Sequence, residues 1–243
     1  MIVSLTIVRY RKRFIPFALL AMAIHRVPMY RQHGCTFWQL LGSGKNGTFD
    51  LNPDWQQWGL LAVWGTRDDF DRFYERSFIT NWWNTLGVEK WTILCEPLQS
   101  HGRWDGKEPF VVSGNESYNG PIAILTRATI RMNRLKNFWA NVDEVSDLMR
   151  KASGYIFSLG IGERPFYKQA TFSLWNNLDD AKAFAYGSTE HAEVIKKTRA
   201  EDWYSEELFA RFKPIASMGT INNIDPLKGL IKAAPKSSQE ERA

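Results

Sequence analysis

In ILTRATIR (124–131) apolar and polar residues alternate and half the positions are β-branched, so the stretch predicts a strand. The spacing then changes. LKNFWANVDEVSDLMRK (135–151) brings Phe138, Val142, Val145 and Leu148 near one face at helical intervals. YIFSLGIG (155–162) and QATFSLW (169–175) read as strands, the first ending in a glycine turn. Asn177 or Asp179 can open the next helix, because their side-chain oxygens satisfy free backbone N–H groups. Ser188 can cap a further segment, HAEVIKKTRAEDW, and FKPIASMGTI (212–221) closes the series as a strand. Near the start of the chain, residues 3–8 predict a strand that leads into an apolar helix at 14–24.

These elements fall into two similar sets. Leu41-Gly42-Ser43-Gly44 matches Leu159-Gly160-Ile161-Gly162, 118 positions on. Trp64, Asp68, Asp69, Phe73 and Ser77 match Trp175, Asp179, Asp180, Phe184 and Ser188, 111 positions on. SLTIVRYRKRF also resembles RATIRMNRLKNF. Each half then reads strand, helix, strand, strand, helix, strand, which is the ferredoxin-like plan. The expected class is α+β, with tandem duplicated ferredoxin-like repeats at 1–98 and 122–224 that can close into a barrel-like structure. A polar linker is expected at 99–121 and a disordered, charged tail at 225–243.

Composition narrows the function. Of 243 residues, 14% are aromatic and 11 are Trp, more rings than a small core needs, which points to a large apolar cavity or an apolar partner. The net charge of +5 gathers partly at residues 9–13, Arg26 and Arg31. No zinc-finger, RNP or basic-zipper pattern accompanies it, so nucleic acid is not an expected partner. A basic rim beside apolar surface suits an anionic membrane. Two cysteines, Cys35 and Cys95, at no paired spacing argue for a reducing compartment and read as structural thiols. RYRKR followed by FIPFALLAMAI imitates a signal peptide, but the apolar run is too short to span a bilayer and Pro16 interrupts it. The expected location is cytoplasmic or peripheral at the inner membrane surface. Helix 14–24 either packs on its sheet or rests on that surface.

Alternation assigns faces. Ile124, Ala128 and Ile130 form an apolar side of their strand, opposite Leu125, Arg127, Thr129 and Arg131. Ala170, Phe172 and Leu174 oppose Gln169, Thr171, Ser173 and Trp175. Helices should cover the apolar sides, leaving the mixed sides to line the interior or meet solvent. Among four histidines, His25 closes the apolar helix, His33 lies in a loop and His101 in the linker. His191 shares a helical face with Ile195 and Thr198. It is either a core histidine or, as a neutral imidazole on an apolar face, a ligand for iron. No HExxH, P-loop, nucleophile elbow or dinucleotide fingerprint occurs.

GPIAILTRATIR, FSLGIGERPFYKQATFSLW and HAEVIKKTRAEDWYSEELFARF, with FWQLLGSGKNG upstream, resemble the spheroidene monooxygenase family of acyclic carotenoid ketolases, over residues 3–221. The resemblance implies a haem-containing dimeric α/β-barrel type of fold. It implies an oxidoreductase that hydroxylates an acyclic carotenoid end group and carries it on to a ketone. An apolar small-molecule substrate, an external electron donor, peripheral membrane contact and a homo-oligomer are the expected partners. His191 becomes the expected iron ligand, Arg127 and Arg131 the expected partners of the haem propionates, and Trp175, Trp64 and Phe172 the expected cavity border. No residue is assigned a catalytic role. A haem lyase of the aldoxime-dehydratase kind and a non-enzymatic carrier of haem or apolar ligand stay open as alternatives.

Overall fold

Strand β1 (Ile2–Tyr10) is buried at every position but Arg9, so it must be covered on both faces. The structure, a computed structural model, describes residues 1–45, 52–112, 118–164, 166–187, 198 and 200–231. β1 lies between β3 (Pro53–Trp64) and β4 (Gly87–Gly102), and β3 also pairs with β2 (Cys35–Gly44). The later strands repeat this order. β5 (Ile122–Ile130) lies between β7 (Lys168–Trp175) and β8 (Tyr204–Gly219), and β7 pairs with β6 (Tyr155–Arg164). Long pairing of β4 with β8 and a two-residue pairing of β2 with β6 close an antiparallel barrel in the order β1-β3-β2-β6-β7-β5-β8-β4.

Helices α1 (Ile15–Ile24), α2 (Arg26–Tyr30), α3 (Arg67–Arg76) and α4 (Phe78–Leu86) belong to the first half. α5 (Leu135–Lys151) and α6 (Leu178–Gly187) belong to the second. Matching caps start α3 and α6. Thr66 Oγ1 accepts from the Asp69 N–H at 3.1 Å, and Asn177 Oδ1 accepts from the Asp180 N–H at 2.8 Å. Each cap docks on a left-handed glycine, Gly34 at φ 76° and Gly154 at φ 72°. A Cβ there would stand 2.2 Å from Asp69 Cγ or 2.1 Å from Asp180 Oδ2, so only glycine fits.

The first strands of the two halves stand 120 positions apart, as do the short helical turns Lys12–Phe14 and Met132–Arg134. Thr6 therefore corresponds to Thr126 and Ile7 to Arg127. The match of SLTIVRYRKRF to RATIRMNRLKNF falls three residues out of register, because the second half carries threonine at both 126 and 129.

Inside the barrel, Leu5, Ile7, Leu61, Trp91, Leu125, Leu159, Phe172 and Phe212 belong to one continuous core. An eight-stranded barrel is just wide enough for side chains to fill. The rings therefore pack this interior, where a large cavity was expected. The face assignment holds for β5, whose Leu125 and Arg127 turn inward. It is reversed for β7, whose Ala170, Phe172 and Leu174 enter the lumen. Both sides of that strand are covered, so apolar character could not tell inside from outside.

Similar turns cap the two ends. β4 runs to Gly102, so residues 99–102 are strand where a linker was expected, and fully buried Trp104 bridges to Lys107 across one barrel end. At the other end Ile221 bridges to Ile224, and Leu227 is buried in the core where a disordered tail was expected. The remainder of that tail, 232–243, lies outside the described residues.

Candidate functional site

The two outer faces of the barrel are covered unequally. In the first half, Tyr10, Leu40, Leu60 and Trp64 form one continuous cluster with α1, α3 and α4 through Ala18, Phe70, Phe73, Ile79 and Trp83. The void left beneath α1 is about 10 Å³, room for one water at most. His25 borders it, 2% exposed, edge-on to Phe78, Trp82 and Trp83, with no hydrogen-bond partner for Nε2. Burial pushes its pKa down to about 4, so it is a neutral core histidine near pH 7.

Among the described residues, the cover of the second half forms two separate clusters. Met149 of α5 and Ala181 of α6 pack on Ile122 and Trp175. Phe138 and Val142 of α5 pack with Trp203 on Ile130. The buried stripe of α5 is Phe138, Val142, Ser146 and Met149, turned slightly from the stripe read from periodicity. Between the clusters the sheet carries small or hydroxylic side chains where the first half carries bulk. Ser158 stands where Trp38 stands, Gly160 where Leu40 stands, Thr171 where Leu60 stands, and Ser173 where Ala62 stands. Thr126 is exposed in mid-sheet, whereas its counterpart Thr6 is 2% exposed and hydrogen-bonded to Thr92 at 2.9 Å. The outer face around Thr126 is thus open between the two described clusters, a recess beside which Ser158 and Ser173 are nonetheless buried.

Three further side chains border this recess. Phe209 pairs across the ladder with Thr126 and with His101, and the His101 ring stacks on it at 5.2 Å. Arg211 pairs with Ile124, lies over Phe209 at 5.3 Å, and has a buried Nε without a hydrogen-bond partner. An orphaned guanidinium N–H beside an open face is suited to an anionic ligand. Sequence reading missed both polar residues. His101 was assigned to a linker, and Arg211 lies in a strand with charged residues on both faces. The available signal was the strand alternation through Gln99 and His101.

The expected site residues do not converge. Arg127 points into the lumen, fully buried, with its guanidinium 5.4 Å above the Trp104 ring. It pairs with Glu163 at 3.2 Å, Asp105 at 3.2 Å and Glu206. Three carboxylates already occupy its donors, so it is not placed to hold a propionate. Burial lifts the Glu163 carboxyl above its usual range despite Arg127. Burial acts the same way on Glu206, but N–H groups of Gly106 and Asp105 at 2.8 and 2.9 Å, together with Arg127, outweigh it and lower the pKa. Arg131 is part-exposed at the rim and pairs with Asp202 at 3.0 Å. Trp175 does not border a cavity: its ring is buried against Phe184 and Tyr155, and its N–H donates to Ser173 at 3.0 Å. Trp64 is the equivalent ring in the first half and Phe172 lies in the lumen. His191 lies outside the described residues; its described flanks are Gly187, which ends α6, and Thr198, whose carbonyl accepts from the Trp203 N–H at 3.1 Å. Among the described residues no three His, Cys, Asp or Glu side chains are placed to share a metal.

The recess fits part of what a haem requires. It offers apolar borders at Ile124 and Val142 and a buried guanidinium N–H, Arg211 Nε, free to meet a carboxylate.

One comparison falls on the same half, and the others span most of the chain. A family profile described as a domain of unknown function, DUF3291, matches residues 121–211. Among solved structures, an aldoxime dehydratase in complex with butyraldoxime superposes with a TM-score of 0.58 at 13% identity, covering 88% of this chain and 79% of that one. That likeness shows the fold. Spheroidene monooxygenase of Cereibacter sphaeroides is 35% identical over 218 residues, 89% of this chain and 67% of that protein. Spheroidene monooxygenase of Rhodobacter capsulatus is 31% identical over 215 residues, 88% of this chain and 89% of that protein. On that identity and coverage the chain belongs to the spheroidene monooxygenase family and is an oxidoreductase of the monooxygenase class.

Proposed function

We propose that the protein is a haem-dependent monooxygenase that oxidises an acyclic carotenoid end group, by hydroxylation and then ketone formation, in the recess of its second half. The observation that carries this reading is the asymmetry of the two outer faces. Among the described residues, one is packed around a water-sized void, while the other leaves Thr126 exposed between two separate clusters. The relatives' names supply the reaction class and the substrate class. The repeated strand order and the matching caps support descent of the halves from tandem copies of a ferredoxin-like unit, of which one kept a sealed face and the other opened.

A bound haem would supply activation of dioxygen. The chain's own residues would do the rest. His191 would hold the iron, and Arg211 would bind a carboxylate through its free N–H. Ile124, Val142 and Phe209 would shed water from around an apolar chain. His101 would offer a ring nitrogen on the same face. An external donor would deliver electrons.

The test is the visible spectrum of the full chain titrated with hemin. Wild type should develop a Soret band, His191→Ala should lose it, and Arg211→Gln should weaken retention by about tenfold or more. No hemin uptake by wild type, or full uptake by His191→Ala, would overturn the assignment. Turnover of an acyclic carotenoid should require both dioxygen and a reductant. Conversion of butyraldoxime without either would favour a lyase and sink the monooxygenase mechanism.

A further inference from the structure

Helix α1 is IPFALLAMAI, ten residues with no polar side chain. Ala18 and Ala21 are buried toward the barrel, as are His25 and then Met29 of α2. On the outer side Phe17, Leu19 and Leu20 are 44%, 44% and 48% exposed, and Val27 and Tyr30 continue that side along α2. Phe17 also meets Trp82, which in turn meets the exposed Phe78. A helix laid on a sheet normally turns a polar face to water. This one turns an apolar face outward and so leaves a contiguous apolar patch uncovered.

A second observation says what covers it. The first 49 residues contain Arg9, Arg11, Lys12, Arg13, Arg26, Arg31 and Lys45 and no Asp or Glu. Arg9 is neutralised by Asp54 at 2.8 Å. Arg11, Lys12, Arg13, Arg26 and Arg31 have no carboxylate partner among the described residues, and they stand just before α1 and at the two ends of α2. The patch is therefore framed by unpaired cations. Two copies meeting through it would set those cations against each other, since a two-fold contact brings identical surfaces together. An anionic bilayer satisfies both features: acyl chains take the apolar side chains and headgroup phosphates take the cations. No described helix is long and apolar enough to cross a membrane, so contact would be at the surface.

We propose that the α1–α2 face is a peripheral docking surface for an anionic lipid bilayer. The proposal needs no bound cofactor and stands or falls independently of the haem assignment.

Flotation of the full chain with phosphatidylcholine vesicles, with and without phosphatidylglycerol, tests it. Wild type should float with the phosphatidylglycerol vesicles, and added salt should release it. The double variant Phe17→Glu/Leu20→Glu should weaken binding by about tenfold or more while keeping its thermal transition, because both side chains already face water. Arg11→Gln/Arg13→Gln should reduce the preference for phosphatidylglycerol and leave the apolar patch intact. Wild type that stays with the soluble fraction, or variants that float like wild type, would overturn the proposal. So would a wild-type dimer in gel filtration that Phe17→Glu/Leu20→Glu converts to monomer without altering flotation, for the face would then join two copies. Capture of an acidic protein on this face without lipid binding would overturn it as well.

Discussion

Arg127 and His25 are both deeply buried, and their chemistry runs in opposite directions. Arg127 replaces the lumen aliphatic found at Ile7 in the first half, and its charge is sustained by Asp105, Glu163 and Glu206. Removing the cation strands carboxylates that burial already disfavours. Arg127→Met should therefore lower the unfolding free energy by about 3–5 kcal/mol in urea denaturation. A change below about 1 kcal/mol would mean that the cluster relaxes into water. His25 has no compensating partner. The unfolded imidazole takes up its proton near 6.5, whereas the folded one resists until about 4. Between those values the unfolded state binds more protons, so stability falls as pH falls through that window, by up to roughly 3 kcal/mol. His25→Gln should flatten this part of the stability profile. An unchanged slope would assign the acid sensitivity to other groups.

Much of the architecture was legible at the level of elements, and the errors there share a cause. β5 and α5 are plain in their periodicities, and the cap at Asn177 follows from a side-chain oxygen that any helix start can use. β7 was turned inside out because both of its faces are covered, and Phe172 and Trp175 are equally apolar guests on opposite sides. The end turns at Trp104–Lys107 and Ile221–Ile224 were hidden because short polar loops carry no periodicity, and a single tryptophan or isoleucine does the plugging. The recess was illegible for a further reason. It consists of side chains that are smaller than their counterparts, such as Ser158 against Trp38, and missing volume shows only when the two halves are laid over one another. Arg211 became a candidate only once its N–H proved to be buried without a partner.

At the scale of the whole molecule, the described residues pack one half more completely than the other. The first half presents an unbroken core outside the barrel, a water-sized void, and an apolar helix surrounded by cations. The second divides its core around an open face. Binding at that face and docking through α1 thus fall to different halves of one closed sheet, which lets each be altered by substitution without dismantling the other.

The closure itself is lopsided. Along one join β4 and β8 pair from Trp91–Gly219 to Gly102–Leu208, while across the other only Gly42–Gly162 and Ser43–Ile161 pair among the described residues. The barrel is therefore less a tube than a bracelet with one riveted side and one clasp, and half of the clasp's paired residues are glycine. Slow breathing should begin there, with the amides of Ser43 and Ile161 exchanging with deuterium well before those of Ile93 and Ala216. Equal protection on both sides would mean that the bracelet has no preferred place to open.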